Sequence, residues 1–291
     1  MIFKGSCVAS ITPFNESGID FESLEKLIEF QVKNGTSAFV VLGTTGEPST
    51  MTDAEKKELI KFAVKKIDGR MKVIAGTGGN NTARVIEDSK FAQAEGVDGL
   101  LIVTPYYNKC TQNGLIAHYN AVADNVSIPI IAYNVPGRTS VNILPKTFAK
   151  MAEHKNIVAL KEASGNMDQI AEVTALTYGK AAIYSGDDAI GLPMLSIGAQ
   201  GIISVAANIV PKILNDLCSN FFNGNLSDAV KLHNKLYPFA KSMFVEVNPI
   251  PVKAAASLMG LCKNILKMPL SPIEEQNFNI VREQMKLLNL I

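Results

Sequence analysis

Histidine, cysteine and net charge are all scarce in this 291-residue chain, and each shortage removes a class of chemistry. Only His118, His154 and His233 carry imidazoles. They have no metal-ligand spacing, which argues against a zinc-dependent aldolase or hydrolase. The four cysteines, Cys7, Cys110, Cys218 and Cys262, form no C-x-x-C pair. In a chain this long they read as reduced core or surface thiols. A net charge of +1, from 28 basic and 27 acidic residues, leaves no electrostatic footprint for nucleic acid or an anionic membrane. No apolar stretch approaches the roughly 18 residues a membrane span needs. The opening MIFKGSCVASITPF lacks the basic leader, long apolar run and A-x-A site of a signal peptide. The expectation is a cytoplasmic protein working on small molecules. Other motifs are missing too. GTGGNN at 76–81 lacks the third glycine of a dinucleotide fingerprint, and there is no Walker sequence. No G-x-S-x-G elbow occurs. Tyr106-Tyr107 has no basic stripe around it to support base stacking.

What is abundant is apolar sequence: 47% hydrophobic against 19% charged, the balance of a globular chain with a large core. Eight short apolar runs recur, SCVASI (6–11), AFVVLG (38–43), KVIAGTG (72–78), GLLIVTP (99–105), PIIAYNVP (129–136), IVALKEAS (157–164), AAIYSGDD (181–188) and GIISVAA (201–207). Most lack polar alternation, as parallel strands covered on both faces do. Amphipathic segments lie between them. FESLEKLIEFQVKNG follows Asp20 as a helix cap, stripes Leu24, Leu27, Ile28 and Val32, and stops at Gly35. Thr52 and Glu55 stand at capping-box spacing. This pattern fits a (β/α)8 TIM barrel better than a doubly wound open sheet, which usually carries fewer strands in this length. From about Pro211 onward the chain reads as helices only, the last opening with Ser271, Pro272 and Glu274 as cap, first turn and capping-box partner. The division expected is a catalytic barrel over 1–223 and a helical extension over 224–291, packed on the barrel as one structural unit.

In such a barrel the residues just after each strand share one face, where active sites sit. Here they are Thr44 and Thr45, Tyr106 and Tyr107, Tyr133 and Arg138, Lys161, and Gly186 with Asp187. Hydroxyls, one arginine and one lysine suit a carbonyl substrate that bears a carboxylate. A lysine attacks a carbonyl only when neutral, which at pH 7.4 is about 0.1% of an ordinary lysine; burial raises that fraction. Taken alone, a strand-end lysine is more often a solvated or snorkelling side chain. Tyr133 can give and take a proton, although an isolated tyrosine is more often a packing residue. Thr44-Thr45-Gly46 can hold a carboxylate through hydroxyls and backbone N–H groups, or be merely a turn. Arg138 offers a planar fork for a second carboxylate, or a surface ion pair.

GTTGEPSTM (43–51), VTPYYNK (103–109), YNVPGRT (133–139), IVALKEASGN (157–166), SGDD (185–188), GIISV (201–205) and NPIPVK (248–253) together resemble the dihydrodipicolinate synthase family of pyruvate-dependent class I aldolases. The likeness runs in order over almost the whole chain. It implies that Lys161 forms a Schiff base with pyruvate and that Tyr133, Thr44 and Tyr107 relay protons, Tyr107 reaching a neighbouring subunit's site. Thr45, Gly186 and the backbone near Ile203 would hold pyruvate, and Arg138 the carboxylate of L-aspartate 4-semialdehyde. The implied reaction lies on the diaminopimelate route to lysine and needs no metal or organic cofactor. The implied assembly is a homo-oligomer, a tetramer built from two tight dimers. N-acetylneuraminate lyase and the keto-deoxy-sugar aldolases are the related alternatives, and a non-catalytic barrel is a remote one; Arg138, Tyr106-Tyr107 and NPIPVK favour the synthase. One departure stands out. Lysine-inhibited members carry histidines at positions 53 and 56 and a glutamate at 84, whereas this chain has Pro48, Asp53, Lys56 and Arg84 while keeping Asn80 and Tyr106. Weak or absent inhibition by lysine is expected.

Overall fold

A strand with both faces buried has no polar face to alternate with, and all eight apolar runs form such strands in the computed structural model, which describes residues 1–291. They are β1 (Gly5–Ala9), β2 (Ala38–Val41), β3 (Lys72–Gly76), β4 (Gly99–Val103), β5 (Ile130–Asn134), β6 (Ile157–Glu162), β7 (Ala182–Ser185) and β8 (Gly201–Ser204). Each pairs in parallel with its sequence neighbours, and β1 closes the barrel by pairing with both β2 and β8: Cys7 stands opposite Ala38 on one side and Ile203 on the other. The fold is a TIM barrel.

Two cores result. Val8, Phe39, Leu100, Ile102, Ile130, Leu160, Ile183 and Ile202 face the surrounding helices, in a continuous apolar layer of 63 buried residues. Cys7, Ala38, Ile74, Leu101, Ile131, Ala159, Tyr184 and Ile203 fill the barrel interior, a separate cluster of 14. The outer layer also takes in Leu236, Phe239, Val252, Val281 and Met285 from the C-terminal helices Leu226–Ser242, Ile250–Leu258 and Glu275–Leu287, so the extension packs on the barrel.

Local signals explain most helix starts. Asp20 caps Phe21–Lys33 by accepting from Ser23 N at 3.0 Å, and Gly35, at φ +75°, lies just beyond its end. Thr52 and Glu55 form both halves of the capping box on Asp53–Ile67. The last helix differs from its sequence expectation. It begins at Glu275, Ser271 and Pro272 lie in the irregular stretch before it, and no side chain at Glu274 caps it. Glu246 takes that place from a distance: its Oε1 accepts from Glu274 N and Asn277 Nδ2, each at 2.9 Å. A carboxylate brought in by tertiary packing satisfies one backbone N–H at the helix start, ties down a first-turn side chain and complements the helix dipole. Nor is the tail helical throughout, because residues 259–274 form turns and irregular chain. A short hairpin, Phe14–Asn15 with Gly18–Ile19, was also not anticipated. No helix is long and apolar enough to cross a membrane.

His118 is buried between helices, with Nδ1 3.0 Å from Thr82 Oγ1 and Nε2 unpartnered. Burial holds its imidazole below the ordinary histidine value. The unfolded chain therefore takes up this proton first, and stability drains away as pH falls below about 6.5. Thermal melts from pH 7.5 to 5 should show a smaller decline in His118→Gln than in the wild type; equal slopes would assign the acid lability to other groups.

Candidate active site

Side-chain alternation decides what enters the barrel mouth. Ala159 lies in the inner core and Leu160 in the outer one, so Lys161, two residues beyond Ala159, points inward and Glu162 outward. On β5 the same parity turns Ile131 and Tyr133 inward, and the strand register sets Tyr133 beside Lys161. Lys161 is only 5% exposed, and its Nζ stands 4.2 Å from the centroid of the Tyr133 ring. The strand-end lysine is buried, not solvated.

The outward neighbours hold that register. Glu162 accepts from Asn134 Nδ2 at 2.9 Å, from Ser164 N at 2.6 Å and from Gln169 Nε2 at 3.4 Å. Asn134 also donates to Asn142 Oδ1 at 2.8 Å and accepts from Ile143 N at 2.9 Å. Asn134 and Glu162 are themselves register partners, one step past Tyr133 and Lys161. A clamp of amides and a carboxylate thus fixes the two strand ends that carry the pair. Gly186 leaves room for the lysine: a Cβ there would lie 3.0 Å from Lys161 Cε and 2.8 Å from Ala163 Cβ.

Thr44–Gly46 forms a short 3-10 turn after β2. Thr45 Oγ1 accepts from Asn248 Nδ2 at 3.0 Å, and Arg138 Nη2 donates to Asn248 O, also at 3.0 Å. One tail residue therefore orients both the threonine turn and the arginine. Thr44, Thr45, Tyr133, Arg138, Lys161 and Gly186 line one cavity of about 170 Å³, room for a molecule of roughly benzene's size. Thr44, Tyr133 and Arg138 also border an adjoining space of about 280 Å³ that runs out to Tyr106.

Two expected residues lie apart from these walls. Ile203 is fully buried in the inner core and does not line the cavity. Tyr107, with φ +68°, is 91% exposed and lines neither space. Two positioning residues were not singled out from sequence. Asn248 reaches across 203 positions to Thr45, a separation with no local signature. Buried Asp188 accepts from Val205 N at 3.0 Å and Ala206 N at 2.9 Å, tying the turn after β7 to the end of β8. Desolvation pushes its carboxyl up, against those two donors.

A buried amine lining a small cavity, with acid–base hydroxyls beside it and a guanidinium on its wall, suits a class I lyase that works through a lysine imine. Family membership is narrower still: residues 2–288 match the dihydrodipicolinate synthetase family, and the chain belongs to it. A 4-hydroxy-tetrahydrodipicolinate synthase of Clostridium tetani is 51% identical over 98% of this chain and 97% of its own. The dihydrodipicolinate synthase structure from Aquifex aeolicus superposes with a TM-score of 0.97 at 46% identity, covering 99% of both chains. The enzyme from Acinetobacter baumannii, solved in complex with pyruvate, gives a TM-score of 0.97 at 42% identity over 99% of both chains.

Proposed function

We propose that this chain is a 4-hydroxy-tetrahydrodipicolinate synthase, condensing pyruvate with L-aspartate 4-semialdehyde on the diaminopimelate route to lysine. The observation that carries the reading is Lys161 Nζ over the Tyr133 ring in the wall of a small cavity shared with Thr44, Thr45 and Arg138. The neutral amine adds to the pyruvate carbonyl and loses water to give an imine. Loss of a methyl proton turns the imine into an enamine, whose carbon adds to the aldehyde. The aldehyde oxygen gains a proton and becomes the product hydroxyl. The substrate's own amine then displaces Lys161 as the ring closes. Tyr133 and Thr44 carry these protons, Thr45 and Gly186 hold pyruvate, and Arg138 takes the semialdehyde carboxylate. The lysine supplies the covalent chemistry, so no metal or organic cofactor is needed. The cytoplasm is the compartment this reading assigns, in keeping with four unpaired cysteines.

Borohydride reduction in the presence of pyruvate should leave an adduct on Lys161 in peptide maps. Arg138→Ala should keep that adduct yet cut turnover with the semialdehyde by about 10²-fold or more, the scale of a lost charged clamp. A missing adduct would sink the imine mechanism. Equal loss of trapping and turnover would remove Arg138 from its assigned place.

We also propose that Tyr107 completes the relay in a second copy of the chain, within a dimer of tight dimers. Its exposure, and its absence from its own chain's cavity walls, support this. Co-expressing Lys161→Ala with Tyr107→Phe tests it: mixed dimers regain one intact site if Tyr107 acts on its partner. If Tyr107 serves its own chain, mixing restores nothing.

Lysine is proposed to inhibit weakly or not at all, on firmer ground than charge alone. Arg84 Nη2 pairs with Asp53 at 2.6 Å and its Nε with Asp88 at 3.1 Å, while Lys56 stands 3.8 Å from Asp53. The carboxylates that would welcome an ammonium are already engaged by Arg84 and Lys56. Activity should hold within about twofold when lysine is raised to the millimolar range typical of weak ligands; clear inhibition below millimolar lysine would contradict this.

A further inference from the structure

Beneath the threonine turn lies an ion pair that the reaction does not touch. Glu47 Oε1 and Lys253 Nζ are 2.6 Å apart, with side chains 1% and 0% exposed. Lys253 Nζ also donates to Ile265 O at 2.7 Å and sits 4.1 Å from the centroid of the Phe14 ring. Glu47 Oε2 accepts from Lys267 N at 3.0 Å, and Lys267 Nζ in turn pairs with Glu55. Four parts of the chain meet here: the turn after β2, the hairpin after β1, the helix Asp53–Ile67 and the C-terminal tail.

We propose that the Glu47–Lys253 pair is a positioning device for the turn that holds the pyruvate carboxylate, setting affinity for that substrate through Thr45. The inference rests on the synthase reading given above. Glu47 ends the turn with φ +58°, a left-handed conformation that a β-carbon disfavours, so the turn needs an external hold. Lys253 supplies one by fixing the glutamate's side chain. Asn248, five residues earlier on the same stretch of tail, supplies another by donating to Thr45 Oγ1. Thr12 Oγ1 closes the third side by donating to Gly46 O at 2.8 Å. A buried ion pair adds little net stability over an apolar pair of similar volume. What it adds is position: two opposite charges 2.6 Å apart and shut off from water hold the two segments they sit on together.

That distinction sets the experiment. Lys253→Met leaves Glu47 buried and unpaired, and should lower the melting temperature as well as weaken pyruvate binding. The double variant E47Q/K253M removes both charges, so it should regain much of the lost melting temperature. Its KM for pyruvate should nevertheless stay raised by about tenfold, with the KM for semialdehyde changed by no more than about twofold, because the turn has lost the contact that placed it. Borohydride trapping on Lys161 at sub-saturating pyruvate should slow in step. Lys253→Arg, which keeps a cation opposite Glu47, should lie nearer the wild type. A double variant that recovers both melting temperature and pyruvate KM would overturn the proposal and leave the pair a purely structural contact. A wild-type protein with no pyruvate adduct would instead overturn the synthase reading on which the proposal rests.

Discussion

Everything at this site depends on a two-residue period. A strand in a closed parallel barrel has two buried faces, and successive side chains go to opposite ones. Lys161 and Glu162 are adjacent and both ionisable, yet only the first enters the cavity, because it shares parity with inward-facing Ala159. A slip of one residue would send the carboxylate into the mouth and the amine into the helical layer. The Asn134–Glu162 contact is therefore as much part of the chemistry as the Tyr133–Lys161 pair. It sits outside the barrel and keeps β5 and β6 from slipping, so that a phenol and an amine remain neighbours inside. β5 and β6 do shift register once, between Ile130 and Ile131, below the reactive pair.

The barrel was legible because its signals are local and repeated. Each strand is a short apolar run, and most gaps hold a helix with a cap that can be read from three or four residues, as at Asp20 and at Thr52 with Glu55. The strand ends then named the candidate residues, and Thr44, Thr45, Tyr133, Arg138, Lys161 and Gly186 do share one cavity. The same method failed at Ser271, where a capping-box spacing exists but a carboxylate from Glu246 reaches the helix end first. Asn248, Lys253 and Asp188 stayed hidden in their roles for a different reason. Their partners lie far away or on a neighbouring strand, and nothing in a single stretch of sequence records which distant backbone N–H or hydroxyl a polar side chain will meet.

Arg84 shows why a charge read from sequence is incomplete. As a letter it is a cation where a carboxylate might have been, and repulsion of an ammonium follows. In the fold it is enclosed by Asp53 and Asp88, so much of its field is cancelled locally. The proposal of weak lysine inhibition then rests less on repulsion than on acidic groups that already have partners. Salt separates the two causes, because repulsion between exposed charges fades with ionic strength while short ion pairs are screened less.

A barrel's strands are held by their own ladder of hydrogen bonds, but the turns at the mouth lie beyond it and must find other supports. Here the support comes largely from the tail. Asn248 holds Thr45 and Arg138, Lys253 holds Glu47, and the irregular segment before the last helix contributes Ile265 O and Lys267 N to the same cluster. These contacts explain why an extension that adds no strand to the barrel packs over the helices and ends beside the mouth. Under the proposed role of Thr45, its rigidity matters more than that of an ordinary loop, since a displacement of about 1 Å in a substrate-positioning group can cost 10²-fold in rate. The tail thus turns two loops into fixed walls of the cavity that Lys161 also lines.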